Sequence, residues 1–297
     1  MFKIPDKIKV FGVGDSGINA VNKMVESKLP QIEFIAVDSN ETSLLNSKAE
    51  LRILAGKNIE EIHEILRKIS EGANFIFIVA GIGDKITESE TPAIAEFAKN
   101  VGALTIAVVT MPFNIEKLRY FTDGLIMIPT NDNIDDILFK TVQSISTLIT
   151  QPGIVNLDFV DICTILQNSG EALIGIGEAS GEEAIIKAAK SALDCPLLKN
   201  KIQGAKSILF SFMSSENALK NHEAYYEATM IIQEAADADA EIMWGMSLDE
   251  SFGDTVRVTI IATRFDYESK NFRAPIISSN HNKKFDNNLI NIPPWMI

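Results

Sequence analysis

Cysteine is nearly absent. Cys163 and Cys195 are the only two among 297 residues. They stand in no metal-ligand or redox spacing, which excludes a disulfide scaffold and a Cys-based zinc site and fits a reducing cytoplasm. Positive charge is scarce as well, with 27 Lys and Arg against 40 Asp and Glu and a formal net charge of -13. That balance excludes nucleic acid, or an anionic membrane, as a partner held by general electrostatics. No apolar run approaches bilayer-spanning length and the N-terminus shows no apolar signal segment, so a cytoplasmic protein without direct membrane insertion is expected. What is plentiful is apolar content, at 46%. A chain of this length and composition can build two ordinary domains, each around a buried core.

The stretch from Asn131 to Gly177 organises the chain. Ile134, Ile137, Leu138, Val142, Ile145, Leu148 and Ile149 recur at helical spacing until Gln151-Pro152-Gly153 stops them, which predicts an amphipathic helix acting as a strut. The acidic turn Asn156-Leu157-Asp158-Phe159-Val160-Asp161, a second helix carrying Ile162, Ile165 and Leu166, and a glycine-rich exit at Gly175 and Gly177 follow. By spacing, Asp158 is a helix N-cap with Asp161 three residues on, a capping-box arrangement. Two carboxylates and an amide on one exposed turn are also suited to polarising a water against a phosphoryl group.

Before the strut, strands are expected at Ile8 to Val13, Phe34 to Val37, Phe75 to Ala80, Leu104 to Val109 and Leu125 to Ile128, with helical crossovers, and hence a parallel α/β sheet. The first strand runs into Gly12-Val13-Gly14-Asp15-Ser16-Gly17, where glycines let a backbone approach a phosphate at the following helix N-terminus. Asp38 closes the next strand where a dinucleotide-binding fold keeps its ribose-binding acid, so a nicotinamide-dependent oxidoreductase is one alternative. His63, His222 and His281 supply that alternative with no catalytic constellation, since they fall in helical or tail segments. After the strut, helices at Glu182 to Leu193 and His222 to Asp237 and strands at Lys206 to Phe212, Ala240 to Trp244 and Thr255 to Thr263 read as a smaller α+β domain.

The acidic turn, with Thr150-Gln151-Pro152-Gly153 before it and Gly175-Ile176-Gly177-Glu178-Ala179-Ser180-Gly181 after it, resembles FtsZ, the bacterial relative of tubulin. The resemblance implies a nucleotide-binding domain over residues 1–130, a connecting helix at 131–150, a C-terminal domain at 151–266, a linker at 267–289 and a partner-binding peptide at 290–297. It also implies GTP or GDP, with Mg2+, as cofactor, and head-to-tail association with FtsZ-type subunits. Asn156, Asp158 and Asp161 would then complete a neighbour's hydrolytic site, and no resident metal cluster is expected.

On the nucleotide face the resemblance assigns Gly12, Gly14, Asp15, Ser16, Gly17 and Asn19 to the first phosphate loop, Gly81 and Gly83 to the phosphate-wrapping loop, Glu116 to the ribose side and Asp136 to the guanine edge. Departures are concentrated there. Asp15, Ser16 and Ile18 stand where the family has glycine, and Arg119 lies one residue short of the family's basic partner. Asp84-Lys85-Ile86-Thr87-Glu88-Ser89-Glu90 replaces the glycine-threonine signature, and its acids are expected to cap a helix around Ala93 to Lys99. A carboxylate about 5 Å from a phosphate charge opposes it by roughly 3 kcal/mol at an effective dielectric near 20. The resemblance therefore leaves two expectations, a pseudo-GTPase that keeps its polymer interface or a working GTPase subunit. At the far end, Ile292, Pro293, Pro294 and Trp295 resemble the family's terminal peptide, which binds membrane-tethering division proteins.

Overall fold

The computed structural model describes residues 7–56, 59–81, 85–110, 116–128, 133–150, 153–155, 157, 159–195, 198, 202–217 and 221–265. The N-terminal half alternates β1 (Ile8–Val13), α1 (Gly14–Glu26), β2 (Ile32–Asp38), α2 (Glu41–Leu45), β3 (Leu51–Leu54), α3 (Ile59–Ser70), β4 (Phe75–Ala80), α4 (Lys85–Asn100), β5 (Leu104–Thr110), α5 (Glu116–Phe121) and β6 (Gly124–Ile128). Then come α6 (Ile134–Thr150), α7 (Phe159–Leu166), β7 (Gly170–Ser180), α8 (Ala184–Leu193), β8 (Ala205–Ser214), α9 (His222–Ala235), β9 (Glu241–Leu248) and β10 (Thr255–Phe265). Strand order among the described residues is β3-β2-β1-β4-β5-β6-β7-β10-β8-β9. Pairing is parallel from β3 through β7 and antiparallel on both sides of β10.

Alternation along each strand divides the N-terminal core between the two faces of the sheet. Val10, Phe34, Phe77 and Val108 pack with Val21 and Met24 of α1 and with Leu138, Val142 and Ile145 of α6. Their neighbours Phe11, Ile35, Ile78 and Val109 pack the other way, against Leu66 of α3, Ile94 of α4 and Leu118 of α5. A third cluster joins Phe210, Phe212 and Val258 to Ala188 of α8 and Ala228 of α9. Both faces of the parallel strands are covered, as continuous apolar runs such as Phe75–Ala80 require.

Three readings need revision. The glycine-rich exit, to which the sequence assigned no element, lies within β7, paired with β10 from Leu173↔Ala262 to Ser180↔Thr255. A Cβ on Gly177 would fall 2.1 Å from the Ala188 carbonyl oxygen, and one on Gly175 2.3 Å from that of Ala192. Those glycines let α8 lie directly on the strand backbone. Second, α4 begins at Lys85, well before Ala93, and continues through Pro92. The segment that replaces the signature loop is therefore helical itself. Third, α6 is more than an amphipathic strut, because Thr141 to Thr150 is buried on every side. At 17 residues it is about 25 Å long. Its polar side chains turn to their own carbonyls, as Ser146 Oγ does to Val142 O at 2.7 Å and Thr150 Oγ1 to Ser146 O at 2.9 Å. Others meet the polar face of β10, where Thr259 and Ser144 hydroxyls bond at 2.8 Å and Arg257 Nη1 donates to Gln143 Oε1 at 2.6 Å.

Candidate functional site

Strand order reverses between β1 and β4, and in an open parallel sheet ligands enter the crevice at the C-terminal ends of such strands. Three assigned glycines converge there. Gly12 lies in β1, Gly14 opens α1 with φ +69°, and Gly81 follows β4. β1 and α1 meet with no residue between them, because positive φ at Gly14 makes the turn. Gly17 sits in the first turn of α1, where a Cβ would strike the Val79 carbonyl oxygen of β4 at 2.3 Å. The turn is thus locked to the sheet at the point where a phosphate-binding fold presents its loop.

The chain's own side chains occupy the notches these glycines create. Thr87 of α4, fully buried, puts Oγ1 2.6 Å from where a Cβ of Gly14 would be. Ser16 lies against Gly81 in the same way, its Cβ 2.4 Å and its Oγ 2.6 Å from a Cβ on that residue. Asp15 stands in the first turn of α1, where a carboxylate compensates the helix dipole that would otherwise attract an anion, and it accepts the Ser43 hydroxyl at 2.6 Å. Thr87 and Ser16 thus pack directly against the backbone of the two assigned glycines. Neither contact was legible from spacing, since Thr87 reaches Gly14 only through the early start of α4.

Glu90 is also displaced from its expected role. Its carboxylate is 3% exposed and turned into the α3–α4 contact, with Oε2 3.5 Å from His63 Nε2 and Oε1 accepting Ser89 Oγ at 3.1 Å. Asp15 and Glu88, by contrast, are exposed.

The remaining assigned residues are spread around this crevice. Asn19 is exposed on α1 and Glu116 is the exposed first residue of α5. Arg119 pairs with Glu171 of β7, which takes it away from a nucleotide role. Asp136, in the first turn of α6, is held from two sides, by Lys23 Nζ at 3.7 Å and Lys140 Nζ at 3.2 Å. Lys140 also reaches Glu178 of β7 at 3.1 Å, and Glu178 accepts Arg257 Nε of β10 at 2.6 Å. A carboxylate meant for a guanine edge is here the first member of an ion-pair chain leading into the C-terminal domain. Asp38 is buried, and its Oδ1 accepts the Asn40 backbone N–H at 3.0 Å, closing the turn that follows β2.

Later in the chain, α7 opens at Phe159 with Asp161 in its first turn. Val160 beside it is 66% exposed and Ile154, seven residues upstream of Asp161, 54%. Asn156, Asp158, Gly83 and the peptide residues Ile292, Pro293, Pro294 and Trp295 lie outside the described residues. Among the described residues there is no cluster of His, Cys, Asp and Glu that could hold a metal. No described helix is long and apolar enough to cross a membrane.

Residues 170–266 match the model of the FtsZ family, C-terminal domain. The whole chain is similar to an empty FtsZ dimer from M. jannaschii, at 29% identity and a TM-score of 0.79, covering 87% of this chain and 88% of that one. A point mutant of the same FtsZ gives 29% identity and 0.80, with 88% and 92% covered. A GTPγS-bound protofilament of CetZ2 from Haloferax volcanii, at 13% identity and 0.68 over 86% and 92%, shares the fold. The chain thus has the tubulin/FtsZ fold, an N-terminal GTPase-type domain followed by a C-terminal domain that matches the FtsZ family's model over residues 170–266.

Proposed function

We propose that this protein is an FtsZ-like cytoskeletal subunit of prokaryotic cell division, cytoplasmic, and a pseudo-GTPase that associates head-to-tail with FtsZ-type subunits. One observation carries the proposal: Thr87 and Ser16 pack against Gly14 and Gly81, the glycines that the resemblance assigns to the phosphate loops, and this supports a reading in which those loops no longer cradle a phosphate chain. Association is supported by Ile154 and Val160, large apolar residues left exposed close in sequence to Asp161. The matched structures include an FtsZ dimer and a CetZ2 protofilament, which supports self-association as the family's habit.

Titration of the purified full chain with GTP, GDP and guanosine tests the nucleotide half. All three are expected to bind weakly and alike, since the phosphates add nothing to what Asp136 and Glu116 offer. Submicromolar GTP binding with turnover by this protein alone would instead establish the competing reading, a working GTPase polymer subunit. A nicotinamide-dependent oxidoreductase rests on the position of Asp38 alone, and its Oδ1 closes the turn that follows β2.

The terminal peptide is assigned to a membrane-tethering division protein, with Trp295 as its anchor. Buried aromatic anchors dominate such contacts, so Trp295→Ala is expected to weaken the complex by about 2 kcal/mol. Capture of the tether that survives deletion of residues 290–297 would reject this assignment.

A further inference from the structure

Arg264 holds a left-handed backbone, φ 56°, near the end of β10. A bulky side chain adopts that conformation only where its surroundings over-determine it. The surroundings here are the C-terminal end of α7. Arg264 Nη2 donates to the Thr164 carbonyl, while Nη1 donates to Ser207 Oγ at 3.3 Å and lies 3.7 Å from Glu241 Oε2. Next to it, Thr263 Oγ1 reaches the Ile165 carbonyl at 3.4 Å.

A helix leaves its last four carbonyls without intrahelical partners. In α7 three of the four are partnered outright and the fourth shares a donor. Cys163 O accepts Gln167 N–H at 2.8 Å and Leu166 O accepts Ser169 N–H at 3.3 Å, both from the following turn. Thr164 O is taken by Arg264, and Ile165 O lies 3.4 Å from Thr263 Oγ1, whose single proton it shares with Ser207 O at 3.3 Å. The guanidinium also places a full positive charge at the negative end of the helix dipole. Since α7 has eight residues it is only about 12 Å long, so what holds one end fixes the other.

We infer that Arg264 is a positioning residue for the acidic turn: with Thr263 it clamps the end of α7 to β10 and so sets where the first turn, bearing Val160 and Asp161, meets a neighbouring subunit. This rests on the proposed head-to-tail association for its purpose, though the clamp itself does not. Its strain gives a way to separate positioning from folding. Arg264→Gly removes the guanidinium and at the same time relieves the left-handed backbone, so global stability in urea is expected to hold or rise.

Hydrogen exchange on the full chain then reads the clamp. In Arg264→Gly the amides of α7 should exchange about tenfold faster, the factor that one lost charge-assisted hydrogen bond represents. β8 and the rest of β10 should stay protected, and Arg264→Lys, which keeps a cation at the helix end, should restore much of the α7 protection. Unchanged exchange in α7, or a uniform rise across β8 and β10 as well, overturns the inference. Co-sedimentation with a polymerising FtsZ reads the purpose: wild type binds and Arg264→Gly binds at least about tenfold more weakly. Equal binding of the two overturns positioning, whereas failure of wild type to bind refutes the association and leaves the exchange result to judge the clamp.

Discussion

Arg257→Ala is expected to lower the unfolding free energy by about 3 kcal/mol, the low end of the cost of breaking a buried charged network by removing one partner. The Arg257 side chain is 9% exposed and joins three elements. Its Nε donates to Glu178 of β7 at 2.6 Å and its Nη1 to Gln143 of α6 at 2.6 Å, while the guanidinium lies 4.9 Å from the Phe252 ring centroid. Alanine would leave the buried Gln143 amide oxygen and a half-buried carboxylate with only Lys140 in reach. Lysine would do little better, because a point charge cannot present two in-plane donors to two acceptors.

The same network gives an acid signature. Burial pushes Glu178 upward, but the hydrogen bond and charge of Arg257, followed by those of Lys140, outweigh it and hold the carboxyl below its ordinary 4.5. A carboxylate depressed in the folded state contributes stability that is complete above its unfolded value and is lost as pH falls through the folded one. The difference between wild type and Arg257→Ala should therefore be full at pH 7 and shrink below about pH 4.5. Urea titrations at the two pH values settle it; a difference under about 1 kcal/mol at pH 7 would show the network to be idle.

How much of this could be read from the chain depended on whether one element alone carried the signal. Phe75–Ala80 was legible to the residue, since a continuous apolar run bounded by polar residues has few uses other than a strand covered on both faces. The stripe of α6 was equally plain, yet Gln143 and Ser144 look like solvated positions until β10 is placed beside them. β7 was missed because Gly175 and Gly177 weaken a strand's signal, and their reason, the close seating of α8, is tertiary. The site behaves likewise. The glycine turn at the end of β1 was visible, and so was the lost signature after Gly81. That α4 starts at Lys85 and swings Thr87 onto Gly14 was not, because nothing local to either residue encodes their meeting.

Mixed with a polymerising FtsZ, this protein is expected to shorten filaments at substoichiometric ratios, and we regard polarity as the reason. A head-to-tail filament joins unlike faces, so a subunit altered on one face can still engage through the other. On the proposed nucleotide face, Thr87 and Ser16 pack against Gly14 and Gly81, and Asp136, the acid assigned to the guanine edge, pairs with Lys23 and Lys140. The other face retains Asp161, with Ile154 and Val160 exposed close to it in sequence, on a helix whose far end is fixed to β10. Such a subunit can settle over the nucleotide of an ordinary neighbour yet offers the next subunit no working site. One bound copy then ends one filament, which is why low ratios suffice. Asp158→Asn combined with Asp161→Asn separates docking from chemistry: Ile154 and Val160 remain, so shortening should persist, while any stimulation of the neighbour's phosphate release should vanish if those carboxylates supply its hydrolytic acids. Filament length by electron microscopy and phosphate release measured on the same mixtures decide the matter. If neither changes at an equimolar ratio, the capping model is wrong.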